Sequence, residues 1–308
     1  MVPYIEVGDI HLGPLTIHPF GLLVATGVLV GASLAEWRAR RLGLAVAPLR
    51  SFMTWMLIGG FVGGHMLDEI FYHPYNLVRP WSLFFLWDGL SSFGGFAGAL
   101  AGALAWKYLE ITERPPGAFP RPRFKRRPQP VAILPYCDLV MSIFPVAWAF
   151  GRSGCSVVHD HPGALAPGAL LAVDYPSHPV IAAPGIHFLY GGVPRYDLGL
   201  LELMFAVILA VAFACTWWRR VRPGTYLIAA VLAYTPVRFA MDFLRLPDAA
   251  GGDARYASLT PAQWGCIALF AFGAVFFASR LTRRREPARP VVGALVGLRS
   301  VLTTPSGP

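Results

Sequence analysis

Residues 131–154, with the sequence VAILPYCDLVMSIFPVAWAFGRSG, decide the fold class of this chain. The apolar run over 131–150 is long enough to cross a bilayer, because a spanning helix needs about 20 mostly apolar residues. Arg152 closes this run, and a second arginine, Arg238, lies well inside the apolar run over 226–243. A charge at membrane depth is costly and marks a functional site by default. The stretch therefore predicts a membrane protein whose function involves these two arginines.

Six further apolar segments resemble this one, and together they indicate an integral membrane protein. The 308 residues are 55% hydrophobic and only 14% charged, whereas a soluble domain usually has about 25% charged residues. Glycine and proline interrupt two segments, 91–109 and 131–150, and both residue types are tolerated in membrane helices. We predict an all-α membrane protein of about seven transmembrane helices, over residues 17–35, 52–72, 91–109, 131–150, 198–218, 225–244 and 261–279.

The basic residues alternate along the chain and predict its orientation. They follow the first, third, fifth and seventh segments, whereas the other connections hold only scattered bases. Because cytoplasmic loops are rich in lysine and arginine, the N-terminus is expected outside and the C-terminus in the cytoplasm. The net charge of +9 is thereby explained without nucleic acid. The clusters are Arg38, Arg40, Arg41 and Arg50; Arg114, Arg121, Arg123, Lys125, Arg126 and Arg127; Arg219, Arg220 and Arg222; and Arg280, Arg283, Arg284, Arg285 and Arg289.

The membrane segments are expected to form one domain. Residues 1–289 are predicted to be a single seven-helix transmembrane domain with a long outer loop over 151–197, and residues 290–308 a disordered tail. The sequence has no internal repeat and no soluble domain boundary. The four cysteines have neither CxxC nor other paired spacing, so neither a disulfide framework nor a metal cluster is inferred from them.

The segment around Arg238 has the pattern of a polar cavity wall. Arg238 and Asp242 are four residues apart, so they share a helix face and can pair. Tyr234 lies one turn earlier on the same face, and Pro236 is expected to kink the helix there. For Arg238 and Asp242, the alternative is a purely structural ion pair. For Arg152, the alternative is an arginine at the membrane interface whose side chain extends to the lipid headgroups. Two guanidiniums that face one cavity suit a phosphate, because each planar fork binds it through two hydrogen bonds.

Further polar side chains cluster near the outer ends of the predicted helices. They are His65, Asp68, His73, Asp88, His159, Asp160, His161 and Glu202. Histidines and carboxylates can bind a metal ion, but their spacing here matches no known metal motif. An outward-facing hydrogen-bonded cluster is therefore favoured, and neither a metal nor another cofactor is expected.

In order and spacing, these motifs resemble bacterial prolipoprotein diacylglyceryl transferases over about residues 15–280. The most specific feature is the combination of Gly-Arg-x-Gly at 151–154 with Tyr-x3-Arg-x3-acid-Phe at 234–243. Either motif alone would be weak. The other matching pieces are Phe20-Gly21, Gly63-Gly64, Trp87-Asp88-Gly89, Gly94-Gly95, Asp160, Gly163, Glu202 and Arg245.

The resemblance implies an enzyme, a multi-pass protein of the bacterial inner membrane that moves diacylglyceryl from phosphatidylglycerol to a thiol. The implied acceptor is the lipobox cysteine in the signal peptide of a prolipoprotein, and glycerol phosphate leaves. Arg152 and Arg238 match the family's essential arginines, which implies that they hold the headgroup phosphate and stabilise the departing charge. The candidates for substrate binding are Arg152, Arg238, Tyr234, Asp160, Gly163, Asp242, Glu202, Gly94, Gly95 and His65.

The chain departs from the family pattern in ways that bear on catalysis. The family has a histidine directly before the two glycines of the third helix, and this chain has Phe93 there. A tyrosine, an asparagine and an arginine of the family are replaced by Phe20, Cys155 and His65. A neutral thiol is a poor nucleophile, so some group must take its proton or stabilise the thiolate. His159 and His161 are the candidates for this catalytic role.

Two alternatives stay open. One, suggested by the missing histidine, is a related phospholipid-headgroup transferase that uses another acceptor. The other is a non-catalytic lipid-binding or transport protein with the same cavity, because charges inside the membrane also mark transporters. The sequence has no inverted repeat and no paired broken helices of the usual transporter kind.

Overall fold

The computed structural model describes residues 1–5, 7–13, 15–71, 90–112, 123–177, 180–183, 186–188, 192–246 and 255–282. Over these residues the chain is mostly helical, with seven α-helices. They are α1 (Pro19–Arg41), α2 (Val46–Phe71), α3 (Ser92–Tyr108), α4 (Leu134–Val158), α5 (Leu198–Ala214), α6 (Thr225–Met241) and α7 (Pro261–Thr282). His73, Asp88 and the predicted tail over 290–308 lie outside the described residues.

Five of these helices are long and apolar enough to cross a membrane. They are α1, α2, α4, α6 with the 3-10 turn that follows it, and α7. The helices α3 and α5 have 17 residues each, which is near the lower limit of about 17 to 25 residues for a spanning helix. The prediction of a helical membrane protein is confirmed in this coarser form.

Glycines bring α2 and α3 into close contact. A Cβ atom added at Gly98 would lie 2.8 Å from the Cα of Gly63, and one added at Gly94 would lie 3.0 Å from the Cα of Gly64. Small residues allow helix backbones to approach each other in a membrane. Any larger side chain at these positions would meet main-chain atoms and push the two helices apart.

The helix α4 packs against both α1 and α5. Gly31 of α1 lies against the side chain of Ala147, and a Cβ at Gly199 of α5 would lie 2.9 Å from the main-chain nitrogen of Ser156. The sequence predicts that this segment ends at residue 150, but α4 continues for about two turns to Val158. That prediction was wrong because an arginine between glycines suggests a helix end, whereas Arg152 is neutralised inside the bundle.

The described residues also contain ten short strands, three before α1 and the others between later helices. They are β1 (Val2–Pro3), β2 (Ile10–Leu12), β3 (Leu15–Ile17), β4 (Leu109–Thr112), β5 (Arg123–Arg126), β6 (Pro162–Leu165), β7 (Ala172–Asp174), β8 (Val180–Ala183), β9 (Ile186–Phe188) and β10 (Arg195–Asp197). Four of them form a sheet in the order β1, β7, β10, β6. This sheet occupies much of the predicted outer loop and ties the N-terminus to the turn that follows α4.

Candidate active site

A cavity of about 320 Å³ lies between α3, α6, α7 and the turn that follows α4. The helix α6 contributes Tyr234 and Arg238, and the turn after α4 contributes Asp160 and His161. Other residues that line it include Asp68, Ser91, Phe93, Arg245 and Cys266. The cavity thus combines cationic, acidic and aromatic groups with apolar ones.

Asp242 holds two arginines at the wall of this cavity. Its carboxylate is fully buried, pairs with Arg238 one turn earlier, and lies 3.2 Å from the Nε of Arg245. The hydroxyl of Thr260 donates a hydrogen bond to the other carboxylate oxygen. Two guanidiniums therefore meet at one carboxylate, and their charged N–H groups suit an anion at this wall.

The first turn of α7 fixes the position of this cluster. The main-chain N–H of Gln263 donates to the hydroxyl of Thr260 at 3.1 Å, and the N–H of Thr260 donates to the Oε1 of Gln263 at 2.9 Å. This reciprocal capping box satisfies two donors at the helix N-terminus. The Nε2 of Gln263 also donates to the carbonyl oxygen of Phe239 at 3.1 Å. The cap therefore joins α7 to the part of α6 that contains Arg238.

Arg152 lies behind the cavity wall and is linked to the cavity through two side chains. Its Nη2 is 3.0 Å from the Oε2 of Glu202, with only 8% and 3% of the two side chains exposed. The Oε1 of Glu202 accepts a 2.7 Å hydrogen bond from the hydroxyl of Tyr234, which lines the cavity. The Trp148 ring lies 5.1 Å from the guanidinium of Arg152 and 5.6 Å from the Tyr234 ring. Arg238 thus faces the cavity directly, and Arg152 reaches it through Glu202 and Tyr234.

The two histidines after α4 have different surroundings. His159 is buried, with its Nδ1 2.6 Å from the Oδ2 of Asp197 in β10 and its ring stacked on Tyr4. His161 lines the cavity, and its Nδ1 is 2.5 Å from the Oδ1 of Asp160. His161 and Asp160 are therefore in position to meet a substrate, whereas His159 anchors the turn to the sheet.

An apolar groove of about 500 Å³ adjoins the polar cavity and shares Ser91, Phe93 and Gly265 with it. Its other walls include Leu67 and Trp264. Gly265 keeps α7 close to α3, because a Cβ at this position would lie 2.9 Å from the Cδ2 of Phe93. The cavity and the groove together match the polar and apolar halves of an amphipathic ligand.

Three further candidates from the sequence lie in helix-packing positions. Gly94 and Gly95 lie on the face of α3 that contacts α2. His65 is fully buried in α2. None of the three belongs to the described lining of the cavity or the groove, and a direct contact with substrate stays a prediction for each of them.

Gly163 has a clear structural reason to be glycine. It forms an isolated bridge with Arg245, and an added Cβ would lie 2.9 Å from the carbonyl oxygens of Leu244 and Tyr196. The missing side chain allows the strand after His161 to lie directly against the segment that contains Arg245. Gly163 therefore holds two parts of the cavity wall together.

Arg245 is the second arginine that lines the cavity. In the sequence it is part of the family resemblance but not one of the predicted site residues. Its spacing contains the signal, because Arg245 lies three residues after Asp242 and seven after Arg238, the spacing of one helix face. The position beyond the end of the apolar run hides this signal. In the structure a 3-10 turn over Asp242–Leu244 continues the helix and brings Arg245 back to Asp242.

Comparisons with known proteins agree on one family. The family model for prolipoprotein diacylglyceryl transferase matches residues 9–279. A phosphatidylglycerol–prolipoprotein diacylglyceryl transferase of Bordetella parapertussis is 27% identical over 295 residues, which cover 93% of this chain and 98% of the relative. The enzyme of the same name from Nitratidesulfovibrio vulgaris is 28% identical over 280 residues, which cover 88% of this chain and 92% of the relative. The one from Chromohalobacter salexigens is 28% identical over 268 residues, which cover 85% of this chain and 87% of the relative.

Proposed function

The chain belongs to the prolipoprotein diacylglyceryl transferase family, and from this premise we propose that it transfers diacylglyceryl from phosphatidylglycerol to the cysteine thiol of a prolipoprotein. The names of the relatives state both substrates. The observation that carries the proposal is the polar cavity with two arginines on Asp242, directly beside an apolar groove. A phospholipid offers one anionic phosphate and two acyl chains to such a pair of sites.

The headgroup phosphate binds to Arg238 and Arg245. Both guanidiniums lie at the Asp242 carboxylate and line the cavity, where their N–H groups can bind a phosphodiester. Guanidiniums bind phosphate through paired charge-assisted hydrogen bonds. As glycerol phosphate leaves, it gains a second negative charge, so the same two arginines stabilise the transition state more than the ground state.

The acyl chains of the donor lie in the apolar groove that continues from the cavity. Phe93 and Gly265 belong to both spaces, so a lipid with its chains in the groove presents its glyceryl carbon near their boundary. The acceptor is the lipobox cysteine of a signal peptide, and it reaches the cavity near Asp160 and His161. The thiol gives its proton to water in the cavity, its sulfur forms a bond to the glyceryl carbon, the carbon–oxygen bond breaks, and the electron pair leaves on glycerol phosphate.

Arg152 acts as a positioning residue in this proposal. It fixes the carboxylate of Glu202, and Glu202 in turn orients the hydroxyl of Tyr234 at the cavity. Arg152→Ala is expected to abolish lipidation because both partners lose their orientation. Arg152→Lys keeps the charge and restores part of kcat with little change in KM, a pattern that a purely structural defect would not give.

The membrane placement follows from the two ends of the bundle. The cavity lies at the end of α4 and the start of α5 and α7. Basic residues lie at the opposite end, where Arg280 of α7 donates to the carbonyl oxygen of Pro223 beside the start of α6. Since basic ends face the cytoplasm, we place the cavity at the outer leaflet of the inner membrane, with seven crossings and the N-terminus outside.

The test is a lipidation assay with the purified protein, phosphatidylglycerol vesicles and a lipobox peptide. Arg238→Ala is expected to lower the rate by about 100-fold or more, because it removes a charged donor aimed at the developing anion. The matched control is Arg220→Ala, since Arg220 is exposed beyond α5 and outside the cavity. Equal rates for Arg238→Ala and the control would overturn the assignment.

Two further outcomes would point to another function. Lipid that co-purifies with the protein but is never consumed would identify a lipid-binding or transport protein. Failure to replace the standard enzyme in a depleted strain, by a protein that is correctly inserted and consumes phosphatidylglycerol, would identify a different acceptor.

A further inference from the structure

Cys155, Asp160 and His161 form a cluster of three different metal-ligating groups at the cavity. One ligand atom of each residue lies within 4.8 Å of the ligand atoms of the other two. Asp160 and His161 line the cavity, and Cys155 is buried in the last turns of α4. Thiolate, carboxylate and imidazole are all common ligands of zinc.

The backbone is bent to bring these three groups together. His159 ends α4 with a φ of 50°, in the left-handed region, which is uncommon for a residue with a side chain. This conformation reverses the chain, so that Asp160 and His161 return to the helix end that contains Cys155. Its cost is offset by the contacts of the His159 ring with Asp197 and Tyr4. Strained conformations held by such surroundings are concentrated at functional sites.

We propose that Cys155, Asp160 and His161 bind a zinc-class divalent cation whose fourth position faces the cavity and takes the acceptor thiol. This inference rests on the proposed function and explains how that thiol is activated. Three protein ligands and one open position are the usual arrangement of a catalytic zinc. The ligand atoms of tetrahedral zinc are about 3.5 Å apart, so small side-chain rotations suffice to close the site.

The charges around the three ligands favour a divalent cation. With the metal bound, the Cys155 thiolate and the Asp160 carboxylate would together supply two negative charges, while the nearby charge of Arg152 is already neutralised by Glu202. The Nη1 of Arg152 is 3.6 Å from the sulfur of Cys155 and donates to it, as outer partners of metal ligands do. A sulfur ligand favours zinc over magnesium or calcium, which prefer oxygen.

The step balances without an oxidant or reductant. The acceptor thiol binds to the metal as a thiolate and releases its proton to water at the open side of the cavity. Its sulfur then forms the carbon–sulfur bond, and the carbon–oxygen electron pair leaves with the phosphate. The metal keeps its oxidation state, and His161 acts as a ligand instead of a base.

The test uses the full-length protein in lipid nanodiscs, stripped of metal and then given Zn²⁺ or Co²⁺. The metal content is measured by elemental mass spectrometry. Ligation of Co²⁺ by sulfur is measured from the thiolate-to-cobalt charge-transfer absorption band. Wild type is expected to bind one ion per chain, and Cys155→Ser and His161→Ala are expected to lose it. Cys266→Ser is the matched control and keeps the metal, because Cys266 lines the same cavity outside the cluster.

The outcomes separate this proposal from the proposed function. Loss of lipidation on stripping and recovery with Zn²⁺ would support both. Equal metal content in wild type and Cys155→Ser, or a cobalt protein without the thiolate band, would overturn the metal site whatever the lipidation rate. Full activity of the stripped wild type would overturn the activation of the thiol by metal. If the wild type binds one ion specifically but never lipidates the peptide, the metal site is supported and the proposed function is refuted.

Discussion

Glu202→Gln is expected to destabilise the protein through Arg152. The two side chains are almost fully buried and form an ion pair of 3.0 Å. Glutamine keeps an oxygen to accept from Tyr234 but leaves the guanidinium without its opposite charge. Removal of one partner of a buried pair costs about 3–5 kcal/mol. With about 2 °C per kcal/mol for a chain of this size, the melting temperature is expected to fall by about 6–10 °C.

The double variant Arg152→Met/Glu202→Gln separates stability from function. Methionine fills similar space without a charge, so the melting temperature is expected to recover most of the loss, because uncharged replacements of buried pairs are often neutral. Lipidation is expected to be abolished, as for Arg152→Ala, because no arginine at position 152 then orients the carboxamide. Both are measured on purified protein, by a thermal unfolding scan and by the vesicle assay. A double variant as unstable as Glu202→Gln, or one that lipidates normally, would refute the reasoning.

The other expectations concern single contacts. Tyr234→Phe removes one hydrogen bond to a charged group, worth about 1.5–3 kcal/mol, and is expected to lower kcat/KM by about 10- to 150-fold with the fold intact. Gly98→Ala is expected to lower the melting temperature by about 2–6 °C, since its Cβ would lie 2.8 Å from the Cα of Gly63. Gly95→Ala is the neutral control, with its nearest neighbour at 3.8 Å. His159→Ala is expected to lower thermal stability, because it releases the turn from the sheet; an unchanged melting curve would contradict its anchoring role.

The sequence predicts the helices because the length of each apolar run matches the thickness of the hydrocarbon core of a bilayer. The ends are less predictable, since they depend on partners that are distant in sequence. The first predicted segment ends at residue 35, yet α1 continues to Arg41, where Glu36 pairs with Arg40 and with Arg50 of α2. The sheet could not be predicted at all, because its strands have only two to four residues and β1 pairs with β7 across about 170 positions of the chain.

The candidate site is predictable where spacing along one helix decides it. Tyr234, Arg238 and Asp242 are four residues apart and were identified from that spacing. Glu202 could be proposed only as one carboxylate among several, since its partner Arg152 lies on another helix. The choice between His159 and His161 depends on a single left-handed residue, which turns one ring into the sheet and the other towards the cavity.

The two arginine clusters differ in how they meet the cavity. Arg152 and Glu202 form a buried ion pair behind its wall, and such a pair costs less to bury than an isolated charge. At Asp242 one fully buried carboxylate meets two guanidiniums, and both of these line the cavity beside the apolar groove. We therefore expect the phosphate of a phospholipid at the second cluster, because a cationic wall and an apolar surface adjoin there, whereas a soluble phosphate would use only the first of these two features.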